Sequence, residues 1–132
     1  GTVNRILAKT LHRMQSAYGT RGTDVIACIG PGISLDSFEV GDEVYEAFRT
    51  ENFPMEYISV WKPETHKYHI DLWAANRLQL SDFGVPPRQI ENAGICTYRQ
   101  HEDFFSARRL GIKSGRILSG IMLNRQEKEE RK

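Results

Sequence analysis

A short apolar run ends at a strong chain breaker in the first quarter of the sequence. Residues 24–29 read DVIACI, and Gly30, Pro31 and Gly32 follow at once. A continuous apolar run of this length, rich in β-branched residues, is typical of a strand buried on both faces. Because ligands of α/β proteins collect beyond the carboxyl ends of such strands, the loop after this run is a candidate binding loop. A plain tight turn is the alternative, since the loop matches neither a Walker sequence nor a GxGxxG fingerprint.

Helical and strand-like segments alternate along the rest of the chain. Apolar residues at helical spacing, together with capping residues such as Asp42 and Asp71 and stop signals at Gly19 and Gly84, predict helices. The predicted helices cover residues 2–18, 43–50 and 72–83. The predicted strands cover residues 24–29, 56–61, 67–70, 90–97 and 117–123. This alternation predicts an α/β or α+β domain with a mixed sheet, followed by a charged tail over residues 124–132.

Length and charge exclude several classes of protein. A chain of 132 residues suffices for one domain with a core. A net charge of +1 gives no field for nucleic acid, and no apolar run is long enough to cross a membrane. The two cysteines, Cys28 and Cys96, each lie in an apolar stretch. They are predicted to be buried free thiols, which indicates a soluble protein of a reducing, cytoplasmic compartment.

The most unusual stretch is FFSARR, residues 104–109. Arg108 and Arg109 suit the recognition of phosphate or carboxylate, because the planar guanidinium binds such oxygens with two parallel hydrogen bonds. Neighbouring aromatic rings can stack on a flat ligand. The alternative is that the aromatic residues anchor the loop to the core while the arginines pair with Glu102 and Asp103.

The histidines offer a weaker signal for a metal. His66 and His69 stand three residues apart, as paired metal ligands often do. On a strand, however, positions i and i+3 point to opposite faces. The alternative is a polar rim in which Asp71 caps the next helix, with His101 in a solvated loop and His12 on the first helix.

Five blocks of the chain together resemble a known family. They occur in the family's order over nearly the whole chain, which makes the set far more specific than any one block. The blocks are IGPGISLDSFEVGDEV at 29–44, DLWAANRLQL at 71–80, CTY at 96–98, FFSARR at 104–109 and SGR at 114–116. They resemble the IGPxIGxxxFEVGxEV, DLWxANRxQL, CTY, FFSxRR and TGR segments of the YfiH-type laccase-domain family, long labelled multicopper polyphenol oxidase.

The resemblance implies a layered α/β/β/α-like domain of which this chain is the C-terminal half. Family members are about twice as long, and a His-Ala-Gly-Trp-Arg-Gly-Thr motif falls where this chain begins with Gly1. Residues 1–123 would then be the C-terminal portion of a single laccase-type domain. A chain lacking half of its sheet is expected to expose an apolar face, and therefore to form a homodimer or aggregate unless the other half is supplied.

The resemblance also implies a zinc site made by two histidines and a cysteine. The family cysteine falls at Asp36, with Ser37 as the one-residue alternative, and the second histidine falls near Phe53. Both ligands are therefore changed in this chain, and the site is expected to be degenerate. Asp36 is the one candidate ligand that remains at the family's metal site, with zinc as the expected ion and copper as a less favoured one, because four scattered histidines do not supply copper ligands.

The family's described activities suggest the function. Members are described as purine nucleoside phosphorylases that cleave adenosine or inosine with phosphate, with some deaminase activity. The partners would then be a nucleoside and phosphate. Arg108 and Arg109 are the candidate catalytic residues. The candidate substrate-binding residues are Gly32, Phe38, Phe105 and Ser106, with Ser106 near the phosphate and a phenylalanine ring stacked on the purine.

Three alternatives remain open at this point. One is a laccase-like polyphenol oxidase, another is a hydrolase that edits a peptidoglycan precursor, and the third is a non-catalytic member whose metal site has decayed. The enzyme hypothesis requires that Gly32 and Arg108, far apart in the chain, fold into one pocket for an anionic ligand.

Overall fold

The structure, a computed structural model, describes residues 1–124. The helices of this part of the chain are α1 (Ile6–Tyr18), α2 (Asp42–Thr50), α3 (Met55–Ile58), α4 (Leu72–Phe83) and α5 (Ala107–Leu110). The strands are β1 (Ala27–Ile29), β2 (Glu39–Val40), β3 (Ser59–Lys62), β4 (Lys67–Ile70) and β5 (Ile90–Asn92). Single 3-10 turns cover Gly22–Asp24, Leu35–Ser37 and Pro87–Gln89.

The strands form two small sheets of different type. β1 pairs in parallel with β5, so that Ala27 faces Ile90. β2, β4 and β3 form an antiparallel sheet in that order, with Glu39 opposite His69. The mixture of helices with parallel and antiparallel strands confirms the predicted α/β class.

The larger core lies between the antiparallel sheet and helices α2, α3 and α4. Ile58 and Ile70, which end α3 and β4, are fully buried. The rings of Phe48 and Phe53 pack against each other with centroids 5.2 Å apart. The buried members of this cluster are Val40, Phe48, Phe53, Met55, Ile58, Ile70 and Ala75.

A second, smaller core joins α1 and α4 to the parallel sheet. Its buried members are Leu11, Leu80, Val85 and Ile90. The backbones at Gly22 and Gly84 approach so closely beside this core that a Cβ atom on Gly22 would lie 2.7 Å from the Gly84 Cα. Two glycines therefore let the turn before β1 contact the end of α4.

The start of α4 and the ends of α1 and α4 lie at the predicted residues. Asp71 Oδ1 accepts a hydrogen bond from the Ala74 N–H at 2.9 Å, as predicted for the start of α4. Gly84 and Gly19 adopt left-handed conformations, with φ of 97° and 68°, and end α4 and α1 as predicted.

The start of α1 has no capping side chain of its own. Instead the Ala8 N–H donates to Gln79 Oε1 at 3.0 Å, from a residue 71 positions away. Gln79 lies on α4 and is only 1% exposed. Its amide thus satisfies one of the N–H groups that every helix leaves unpaired in its first turn.

Several predicted boundaries are wrong. The strand predicted over 24–29 begins only at Ala27. Asp42, predicted as the cap of the second helix, is instead the first residue of α2 and makes no capping hydrogen bond among the residues that the structure describes. Residues 2–5 form turns, so the first helix begins at Ile6. Residues 56–58, predicted as strand, belong to helix α3, which follows Pro54 and buries Met55 and Ile58 on one face. The strand predicted over 90–97 ends at Asn92.

The predicted last strand is also wrong. Residues 117–123 have no regular structure, and Leu118, Ile121, Met122 and Leu123 are between 73% and 97% exposed. Within residues 1–124 no strand pairs with this segment. A β-forming sequence becomes a strand only beside a partner strand, so the segment stays irregular.

Cys28 is exposed, which corrects the prediction that both cysteines are buried, whereas Cys96 is buried. Residues 125–132, which make up nearly all of the predicted charged tail, lie outside the described residues. Among the helices that the structure describes, none is long and apolar enough to cross a bilayer.

Candidate functional site

The loops that follow the two parallel strands are tied together. The Gly32 N–H donates to the Ile95 carbonyl at 3.1 Å, and the Thr97 N–H donates to the Gly32 carbonyl at 3.1 Å. Gly32 and Cys96 thereby form an isolated parallel bridge beyond β1 and β5. The candidate binding loop is therefore fixed at the carboxyl end of the parallel sheet.

Cys96 lies beneath this junction in a set of hydrogen-bond donors. Its Sγ accepts from the Ser34 N–H at 3.3 Å and lies 3.7 Å from Ser37 Oγ. Burial opposes ionisation of the thiol, but hydrogen bonds from Ser34, Ser37 and the Arg99 backbone outweigh it and lower the pKa of Cys96 to about 7. No local sequence pattern reveals this environment, because Ser34 and Ser37 precede the cysteine by about 60 positions.

The fold brings together two of the predicted site residues, Arg108 and Phe38. The Arg108 guanidinium carbon lies 5.2 Å from the centre of the Phe38 ring. Nη1 of Arg108 donates a hydrogen bond to the Glu39 carbonyl at 2.6 Å. One edge of the guanidinium is thus anchored on β2, while the arginine stays exposed and can offer its other N–H groups to an anion.

The second arginine lies next to another ring. The Arg109 guanidinium carbon is 4.9 Å from the centre of the Tyr98 ring. Tyr98 follows Cys96 by two residues, so this contact joins the arginine segment to the loop after β5. Within residues 1–124 neither Arg108 nor Arg109 forms an ion pair with Glu102 or Asp103, the alternative that the sequence left open.

Ser106 and Phe105 flank the arginines in different ways. Ser106 is 5% exposed, and its hydroxyl accepts from the Arg109 N–H at 3.3 Å. It therefore caps the single-turn helix that carries both arginines. Phe105 is 56% exposed, and its ring lies against Gly115, where any Cβ would be 2.9 Å from the ring carbons.

Gly32 lines a different part of the surface from the arginines. It contributes to a cavity of about 580 Å³ between α1, α4 and β1, whose described lining includes neither Arg108 nor Arg109. The link between Gly32 and the arginine segment runs through Cys96 and Ser37, which precedes Phe38. A single pocket that holds both Gly32 and Arg108 stays a prediction.

The residues named for a metal do not lie together. Asp36 is exposed and its carboxylate lies 3.7 Å from an Nη of Arg99. Phe53 is 4% exposed in the larger core. His69 Nδ1 is hydrogen-bonded to the Leu35 carbonyl at 2.9 Å, and its Nε2 lies 3.8 Å from the Glu39 carboxylate.

No group of three His, Cys, Asp or Glu side chains that could hold an ion occurs in the part of the chain that the structure describes. Structural zinc takes four such ligands and catalytic zinc three. The described residues alone therefore do not fit a zinc or copper ion.

The whole described chain matches one family. Residues 1–124 match the family model described as multi-copper polyphenol oxidoreductase laccase. The chain therefore belongs to this family, and the resemblance seen in its sequence blocks is confirmed.

Curated relatives of the chain carry names of nucleoside enzymes. The chain is 64% identical over 125 residues to a purine nucleoside phosphorylase of Bacteroides thetaiotaomicron, covering 95% of this chain and 46% of that protein. It is 48% identical over 121 residues to adenosine deaminase RL5 of an unknown prokaryotic organism, covering 92% of this chain and 46% of that protein. The chain spans about half the length of the curated relatives it matches.

Solved structures share the fold. The chain superposes on YfiH of Bacillus licheniformis with a TM-score of 0.73 at 30% identity, covering 83% of this chain and 41% of that one. For YlmD of Geobacillus stearothermophilus the TM-score is 0.71 at 33% identity, with 83% and 40% covered.

Proposed function

We propose that this chain forms part of a purine nucleoside phosphorylase, an enzyme that cleaves adenosine or inosine with inorganic phosphate. The observation that carries the proposal is the Arg108 guanidinium, held by the Glu39 carbonyl beside the Phe38 ring. Relatives named as phosphorylases support it, at 64% identity in the Bacteroides protein. Because the chain spans half of those relatives, the activity is proposed for the whole protein.

The proposed reaction displaces the base by phosphate. A phosphate oxygen forms a bond to the sugar C1′, the bond from C1′ to the purine nitrogen breaks, and its electron pair leaves on the purine, which takes up a proton. Catalysis of this kind depends mainly on placing the anion and stabilising charge. The arginines supply the positive charge that phosphate needs.

Each candidate residue takes a role in this proposal. Arg108 and Arg109 bind phosphate through the N–H groups that face solvent. Phe38 and the exposed Phe105 ring offer faces on which a purine can stack. Ser106 holds the turn that carries both arginines, and Gly32 keeps the neighbouring loop in place through its bridge to Cys96.

The test compares arginine variants of the full-length protein that contains this chain. With inosine and phosphate, the wild-type protein should release hypoxanthine and ribose 1-phosphate. Arg108→Gln should raise the KM for phosphate at least tenfold, and Arg108→Lys should recover only part of that loss because it lacks the planar fork. Arg88→Gln, an exposed arginine on the turn before β5, is the matched control. Folded wild-type protein that releases no base would refute the proposal.

Adenosine deamination is a second candidate activity, favoured by the likeness to adenosine deaminase RL5. It would replace the amino group of adenosine with oxygen from water and release ammonia. Incubation with adenosine separates the two activities. Phosphorolysis gives adenine and ribose 1-phosphate only when phosphate is present, whereas deamination gives inosine and ammonia without it.

We also propose that the enzyme is cytoplasmic. Both cysteines are free thiols, which supports a reducing compartment. A zinc ion in the whole protein would need ligands from outside the described residues. Metal analysis of the isolated 132-residue chain tests this, since stoichiometric zinc bound by that chain alone would contradict it.

A further inference from the structure

The cavity between α1, α4 and β1 is lined by a core that is open on one side. α1 contributes Leu7, Leu11 and Met14, and α4 contributes Leu72 and Leu80. None of the described lining residues carries a charge. An apolar, uncharged hollow of about 580 Å³ suits the side chains of a polypeptide rather than a nucleotide or phosphate.

The segment 117–123 borders the same cavity. Ser119 and Ile121 belong to the cavity lining, and Leu118 and Met122 are 97% and 85% exposed. In an extended chain, successive side chains point to opposite sides, so this segment presents apolar residues on both. Such two-sided segments are typical of inner strands that are covered on both faces.

Trp73 adds a polar requirement at this cavity. It lines the cavity, and its buried Nε1–H has no hydrogen-bond partner within residues 1–124. Buried indole donors are normally paired, because an unpaired buried donor is costly. An incoming backbone carbonyl would satisfy it.

From these features we infer a docking surface, the apolar groove, which consists of this cavity and the segment 117–123. Its occupant is the half of the family domain that has no counterpart in this chain. The relatives are long enough to supply it, since this chain covers only 46% of the Bacteroides protein and 41% of the Bacillus licheniformis structure. The inference does not rest on the proposed activity, because neither Arg108 nor Arg109 belongs to the described lining of the cavity.

The geometry predicts that the two halves associate even when they are separate chains. The remainder of the Bacteroides thetaiotaomicron relative is the probe, produced together with this chain as a tagged second chain or fused to it. Light scattering should give a one-to-one complex. A second copy of this chain is the competing occupant, and a stable homodimer of the isolated chain that excludes the probe would overturn the inference.

Cys28 reports on the groove. It is exposed and belongs to the lining, whereas Cys96 is buried elsewhere and serves as an internal reference. Maleimide labelling, followed by mass spectrometry of the Cys28 peptide, should be at least tenfold slower in the complex or the fusion than in the dilute isolated chain. Equal rates of Cys28 labelling in the two forms would refute the groove as the contact surface.

Single substitutions locate the contact without disturbing the chain's own fold. Leu118→Asp changes a side chain that is 97% exposed, so the melting temperature of the isolated chain should not change. It should weaken binding of the probe at least tenfold. Ile112→Asp, at a position 88% exposed and outside the cavity lining, is the matched control and should bind like the wild type. The inference is wrong if Leu118→Asp binds the probe as well as this control. If the separate half is insoluble, Cys28 labelling in the fused form tests whether the groove is the contact surface.

Discussion

The ionisation of Cys96 gives a quantitative prediction about the loop junction. The ordinary pKa of 9.0 falls to about 7 in the fold, despite burial, because of the hydrogen bonds described above. A difference of two units corresponds to about 2 to 3 kcal/mol at about 1.36 kcal/mol per unit. At pH 8 the thiol of Cys96 should therefore be mostly thiolate in the native protein and mostly protonated in the unfolded chain.

The sign of the effect on stability follows from linkage. Cys96 is an acid whose pKa is lower in the folded state, so its contribution to stability is complete above pH 9. The contribution shrinks as the pH falls from 9 towards 7 and is absent well below 7. The free energy of unfolding should thus rise by about 2 to 3 kcal/mol between pH 6 and pH 10, on this account alone.

Two measurements check this prediction in a Cys28→Ser background, which leaves Cys96 as the only thiol of the chain. Absorbance of the thiolate at about 240 nm should titrate with a midpoint near 7. Urea unfolding at several pH values should show the rise, and the Cys28→Ser/Cys96→Ser double variant should lack it. Ser37→Ala should move the midpoint upward. A midpoint at or above 9 in the native protein would refute the assigned hydrogen bonds.

Three substitutions test the packing and the helix ends. Gly22→Ala places a methyl group against the Gly84 backbone and should lower the stability, followed by thermal melting, by about 1 to 3 kcal/mol. The control Gly19→Ala, in open space with a positive φ of 68°, should lower it by only about 1 kcal/mol. Equal losses of stability for the two variants would contradict the close approach. Asp71→Ala should lower the urea unfolding free energy by about 1 kcal/mol and Asp71→Asn by much less, because asparagine also caps helices; equal losses for the two would argue against the cap. Gln79→Leu should lower the free energy of unfolding by about 1 to 3 kcal/mol, because it leaves the half-buried Ala8 N–H at the start of α1 without its acceptor. A neutral effect on unfolding would refute that contact.

Features set by neighbouring residues were predictable from the sequence. The cap at Asp71 and the stops at Gly84 and Gly19 depend on local side-chain chemistry or on the conformational freedom of glycine, and each lies where it was predicted. The strand over 67–70 also matches β4, because its turn and the following cap leave it little choice of register.

Features set by distant partners were not predictable. A strand exists only where another strand pairs with it, so the β-forming sequence at 117–123 stays irregular and that at 90–97 is shortened. Residues 56–58 alternate like a strand, but Pro54 and the burial of Met55 and Ile58 at helical spacing favour one helical turn. Here tertiary packing overrides local propensity.

The candidate site divides in the same way. The arginines and Phe38 were found from residue type and from the family blocks, but their contact spans about 70 positions and no local pattern reveals it. For Cys96 the sequence predicts only a buried free thiol, because an apolar sequence context says nothing about donors supplied by a remote loop. That Gly32 and Arg108 serve one ligand stays a prediction, because their contact, like that of Arg108 with β2, would join segments about 70 positions apart.

The amide of Gln79 makes the first helix conditional on the fourth. A peptide cut to the length of α1 would keep its apolar face and its glycine stop, yet it would lack the acceptor that lies 71 residues downstream. Its first turn should therefore fray in isolation and become ordered only when α4 is present. Transplanting α1 into another protein, or redesigning it, would thus require moving position 79 as well, because the two positions form one structural unit.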